Sequence, residues 1–137
     1  MRILTTTALA VAISSNALAS DVFGLWKSEV NDEGGYIHVE MGPCASDGAK
    51  VCGVIKDAFN EDPAKVDEAR RAELKGKTII ADMVPDGGNE WDNGTIWAPD
   101  DDKTYDSEME LNGNVLEVSG CVLGGIICRG QDWTRVQ

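Results

Sequence analysis

The chain has 137 residues, 24 of them acidic and 12 basic, for a formal net charge of -12. At 42% hydrophobic and 26% charged it has the make-up of a folded globular protein, too apolar for a disordered one. A surface this acidic repels nucleic-acid phosphate and anionic lipid headgroups, so neither is an expected partner.

Residues 1–19, MRILTTTALAVAISSNALA, carry the pattern of a signal peptide. Arg2 forms a minimal positive region, Ile3 to Ile13 an apolar core, and Ala17-Leu18-Ala19 a small-x-small cleavage site before Ser20. The run is too short to span a bilayer, and no later stretch approaches the roughly 20 apolar residues that membrane insertion needs. Cleavage after Ala19 removes Arg2 and leaves 118 residues with a net charge of -13. The expectation is an exported protein, periplasmic or secreted, with residues 20–137 as a single domain.

Period-two alternation dominates the rest of the chain. Strands are expected at 22–29 and at 36–41, where Ile37, Val39 and Met41 share one face and His38 and Glu40 the other. Cys44 and Cys52 then flank an Asp47-Gly48 turn, followed by a strand at 49–57. Asp62-Pro63 reads as an N-cap with proline at the first helical position, and Gly76 as a stop, so one short surface helix belongs between them. Strands follow at 77–83 and 90–97. In the strand 105–111 the acidic residues take one face and Tyr105, Met109 and Leu111 the other. Asn112-Gly113 marks a tight turn into 115–118, and a last strand runs over 126–136.

The four cysteines all lie beyond the expected cleavage site, and their even number suits two disulfides in an oxidising compartment. Cys121 and Cys128 are symmetric about Gly124-Gly125, a glycine pair suited to a two-residue hairpin turn that sets the cysteines opposite each other. Cys44 and Cys52 are likewise symmetric about Gly48. A zinc site is the rival reading, but neither pair has C-x2-C-type spacing and His38 is the single histidine.

Eight antiparallel strands joined by short turns remove their open edges by closing into an up-and-down β-barrel, with a two-sheet sandwich as the alternative. Gly24-Leu25-Trp26 opens the first strand and Trp133-Thr134-Arg135 closes the last. This resembles the lipocalin-like (calycin) barrels, in which a G-x-W tryptophan is covered by an arginine from the final strand. The resemblance pairs Trp26 with Arg135 as the structural closure, and an arginine over an indole face gains a cation–π contact. The chain is also similar to an uncharacterised bacterial family, domain of unknown function 2147. The similarity rests on Gly24-x-Trp26, Gly53-x-Ile55, Leu74-x-Gly76, Trp91-x-x-Gly94-x-Ile96, Pro99 and Lys103-Thr104-Tyr105. It continues through Leu116-x-Val118-x-Gly120-Cys121 and Trp133-Thr134-Arg135. Asp102 departs from the pattern, standing where glycine is expected. The resemblance implies a small exported barrel and carries no activity with it.

No catalytic constellation is visible. His38 falls on an outward strand face, the cysteines are spoken for, and Ser28, Ser107 and Ser119 lie in no nucleophile-elbow context. No cofactor motif and no metal site is expected. Asp100-Asp101-Asp102 with Asp106, and Asp86 with Glu90 and Asp92, offer hard oxygens suited to calcium, but lack a calcium-loop pattern and read as solvated turns. Trp91 and Trp97 are six apart, so a regular strand turns them to one face with Asn93 and Thr95. Facing inward, these four residues line a cavity for a small hydrophobic or amphipathic molecule, or else the indoles fill the barrel. The expected function is a non-enzymatic binding module holding such a ligand. The alternative is a filled barrel acting through its acidic surface as a protein-interaction or envelope-stress module.

Overall fold

The computed structural model describes residues 19–137, so nearly all of the expected signal segment lies outside the described residues. The eight strands are β1 (Gly24–Lys27), β2 (Gly35–Pro43), β3 (Val51–Asn60), β4 (Thr78–Pro85), β5 (Glu90–Ala98), β6 (Lys103–Asn112), β7 (Val115–Val122) and β8 (Ile127–Arg135). Each pairs antiparallel with the next, and β8 returns to β1, closing an up-and-down barrel. Closure satisfies the backbone groups that an open sheet would leave along its edges.

The barrel has two unlike ends. The floor carries the N-terminal 3-10 turn (Ala19–Val22) and the β2–β3, β4–β5 and β6–β7 turns. The mouth carries the β1–β2 loop, the long β3–β4 connection, the β5–β6 turn and the β7–β8 hairpin. Apolar side chains alternate inward to form one core, with Trp26, Trp91, Trp133, Met41, Met83, Ile55, Ile80 and Leu116 among its fully buried members.

The seam is short. Two residue pairs join β1 to β8, Trp26↔Arg135 and Lys27↔Thr134, extended by hydrogen bonds between Leu25 and the backbone of Val136 and Gln137. The Arg135 guanidinium lies 4.3 Å from the Trp26 ring centre. It also donates to the carbonyls of Phe23 (3.1 Å) and Asp21 (3.0 Å), while the Trp26 indole donates to the Val22 carbonyl at 2.9 Å. One arginine therefore covers the indole and pins the N-terminal turn across the floor. Gly24 is required here: it has φ +124°, and a Cβ on it would collide with the Gln137 carbonyl oxygen.

The β3–β4 connection differs from the single helix expected between Asp62 and Gly76. It folds as a 3-10 turn (Pro63–Lys65) capped by Asp62, then a helix α1 (Glu68–Leu74) capped by Asp67. Val66 is extended between them, and the second aspartate, accepting from the amides of Ala69 and Arg70, restarts the helix. Both disulfides are formed, Cys44–Cys52 and Cys121–Cys128. The second staples the directly opposed pair Cys121↔Cys128, but its hairpin is wider than the two-residue turn expected. Leu123, Gly124 and Gly125 all take positive φ, and a 3-10 turn spans Leu123–Gly125.

Candidate functional site

The inner half of the barrel next to the mouth is open. A cavity of about 640 Å³ lies among strands β2 to β8 and α1, within the range usual for small-molecule sites. Its walls are largely apolar, with Ile37, Ala58, Ile79, Ile96, Val118 and Trp133 among the lining residues. Small residues, Gly35, Ala58, Ala98 and Gly120, border the cavity and leave it room.

Helix α1 forms one side of the mouth because two arginines clamp it there. Arg71 makes a two-pronged pair with Asp57 on β3 (2.7 and 2.8 Å), and Arg70 donates to the Pro99 carbonyl in the β5–β6 turn at 2.7 Å. The Arg71 hydrogen bonds hold the Asp57 carboxyl well below the usual carboxylate range, aided by the Ala58 amide and Lys75. On the far side of the mouth the β7–β8 hairpin exposes Val122, Leu123, Ile126 and Ile127, with Ile126 82% exposed.

Of the four residues expected to bind ligand, the structure gathers one at the cavity. Asn93 takes φ +57°, and between Trp91 and Gly94 the register against β6 slips by one residue, a β-bulge. A bulge reverses the face of everything beyond it. Gly94 and Ile96 follow Trp91 inward, and Thr95 and Trp97 turn to the other face, so the two indoles do not share one. Trp91 is fully buried beside the floor, and its indole N–H is the one buried side-chain donor without a partner among the described residues. Trp91, Asn93 and Thr95 do not line the cavity. Trp97 borders it at the mouth, where its indole donates to Asp102 at 2.9 Å and Lys77 stands 5.6 Å from its ring. Asp102 itself takes φ +50°, adopting the turn geometry for which glycine was expected.

The residues that sequence reasoning passed over are on β8. Its register with β7 is regular, so Trp133, Gln131, Arg129 and Ile127 share the inward face of Arg135. All but Arg135 line the cavity. Counting back by twos from Arg135 was the available signal.

His38 faces outward, 4.6 Å from Phe59, and burial together with Lys27 pushes its pKa down. Three potential metal-ligand atoms converge at two places among the described residues, Cys44–Cys52–Asp82 and Glu108–Cys121–Cys128. Each is a disulfide beside one carboxylate, and oxidised sulfur supplies no thiolate ligand. On the outer floor, Asp86, Glu90 and Asp92 crowd together with Glu108. Burial first, then hydrogen bonding with Asp86 and the neighbouring charges, raises the Asp92 pKa.

Residues 24–135 match the profile of a family described as an uncharacterized protein conserved in bacteria, DUF2147. The chain belongs to this family. Among solved structures, this DUF2147 member is similar to protein HP1028 from the human pathogen Helicobacter pylori, described as belonging to the lipocalin family. The TM-score is 0.64 at 17% identity, over 85% of this chain and 83% of that one. At that identity the likeness is one of fold, a lipocalin-like barrel. A search of curated proteins returns no match. The two disulfides suit an oxidising environment outside the cytoplasm. No helix among the described residues is long and apolar enough to cross a membrane.

Proposed function

We propose that this DUF2147 member is an exported, non-enzymatic binding protein that holds a small apolar or amphipathic molecule in the mouth half of its barrel. The open cavity of about 640 Å³ with apolar walls carries the reading. A barrel filled along its whole length would have no such space, and a surface-only interaction module would have no use for it. Export is supported by the signal-like residues 1–19 and by the disulfides. The binding role is supported by the apolar side chains of the lining, Ile37, Ile96, Val118 and Trp133 among them.

Native mass spectrometry on the protein purified gently from its own host tests this. The expected result is an added mass that disappears on denaturation and is displaced by excess of a fluorescent apolar probe. A bare polypeptide that also fails to take up the probe sinks the proposal.

A further inference from the structure

Arg129 stands apart from the other cations around the cavity. Arg70 is engaged by the Pro99 carbonyl and Glu73, Arg71 by Asp57, and Arg135 by the seam. Lys65 lies out on the rim, in the 3-10 turn before α1. Arg129 lines the cavity on the inward face of β8 and makes no hydrogen bond or ion pair among the described residues. Its directly opposed neighbour on β7 is Gly120, and its same-face neighbours on β8 are Ile127 and Gln131, so no carboxylate sits beside it on the sheet. The outer face of the same strands is different: there Glu117 stands opposite Asp132 and Glu110 opposite Glu117. In a chain with twice as many acidic as basic residues, Arg129 is the one cavity-lining arginine among the described residues that no acid engages.

The acids that border the cavity are engaged or lie in rim loops. Asp67 caps α1, Glu29 accepts the Asp132 amide, and Asp101 accepts the Tyr105 hydroxyl at 3.5 Å, while Asp100 lies in the β5–β6 turn. Next below Arg129 is Gln131, whose Oε1 accepts the Trp133 indole N–H at 2.8 Å. That fixes the side chain and leaves its amide N–H₂ as a second donor on the same wall. The wall around them is apolar, with Ile96 beside Gly120, Val118 directly opposite Gln131 and Trp133 below, and from Arg129 to Trp133 the strand runs roughly 13 Å.

From this arrangement we infer that Arg129, assisted by Gln131, is an anion subsite, and that the ligand is an amphiphile with a carboxylate or phosphate head and an apolar body. The inference rests on the carrier reading above. A guanidinium offers paired parallel donors that match either oxyanion head, and no protein acid has to be displaced. The head sits at the level of Arg129 and the apolar body extends toward Trp133.

Titrations of decanoate, decyl phosphate and 1-decanol into the protein, read by tryptophan fluorescence and calorimetry, test it. At least one anion is expected to bind tenfold or more tighter than the alcohol, with decanoate and decyl phosphate distinguishing the two heads. Arg129→Gln should erase that advantage, a loss of about 10- to 100-fold, while leaving decanol binding and the melting temperature unchanged. Arg129→Lys should restore part of it, and Lys65→Gln should leave it intact. If decanol matches both anions, or the preference survives Arg129→Gln or vanishes with Lys65→Gln, the anion subsite is wrong and the carrier reading stands. If none of the three probes binds, both fall.

Discussion

The floor and the mouth of this barrel are built from the same strands with opposite results. At the floor, inward positions hold Trp26, Trp91, Met41, Met83 and Leu116, all fully buried, and glycine is used where methionine needs its space. A Cβ at Gly94 would lie 2.6 Å from the Met83 sulfur. At the mouth, inward positions hold Ala58, Ala98, Gly120, Gln131 and Arg129, and a cavity of about 640 Å³ lies between the walls. Burying large side chains stabilises and placing small ones makes room, and the chain separates the two along one axis. The fold is packed at one end and open at the other.

The comparison breaks most visibly at Trp26. Trp26→Ala should cost about 3–5 kcal/mol in urea unfolding, because it empties a fully buried site and strands Arg135 without its ring. A loss below about 1 kcal/mol would mean that the floor does not hold the barrel. The disulfides come next. Replacing Cys44 and Cys52, or Cys121 and Cys128, by serine should cost about 2–3 kcal/mol each way, since the loops are of similar length. Ligand uptake should weaken only in the second pair of replacements, which loosens the hairpin at the mouth. Equal effects on uptake would deny that the two ends differ in role.

The smallest effects are those of two aspartates with opposite signs. Asp57 is stabilised as an anion by Arg71, so its contribution is complete above the unfolded value near 3.9 and is lost as pH falls further. Asp57→Asn should therefore lower the melting temperature at pH 7 and cease to matter in strong acid. Asp92 has a raised pKa, so its ionised form is a penalty above that value, relieved as pH falls toward 3.9. Asp92→Asn should raise the melting temperature slightly at pH 7, with the gain vanishing in acid. Parallel melting curves from strong acid to pH 8 check both, and matching signs at pH 7 would contradict the assignment.

The barrel was legible because its determinants are local or symmetric. Ile37, Val39 and Met41 alternate cleanly, Cys121 and Cys128 mirror each other across their glycines, and Gly24-x-Trp26 with Arg135 announces the seam. The site was harder to read for one reason, at Asn93. The bulge carries only a faint mark, an asparagine tolerant of the left-handed region followed by Gly94 within a run that otherwise reads as a regular strand, yet it turns Trp97 and Thr95 to the other face. The break in the β3–β4 helix at Val66 has a similar origin, because the competing cap at Asp67 lies within an already plausible helical stretch. Arg129 was readable in principle, since β8 has no bulge to spoil the count back from Arg135.

The short seam also sets the order in which the molecule can assemble. Seven of the eight strand pairings join neighbours in the chain, while the eighth, Trp26↔Arg135 with Lys27↔Thr134, joins its two extremes. Contacts between distant residues require the largest loop closure and form slowly. By that argument the meander β1 to β8 is expected to pair first as an open, curled sheet, with the β1–β8 seam closing last. Until that closure the cavity has no complete wall, so the space inside the barrel exists only in the closed molecule.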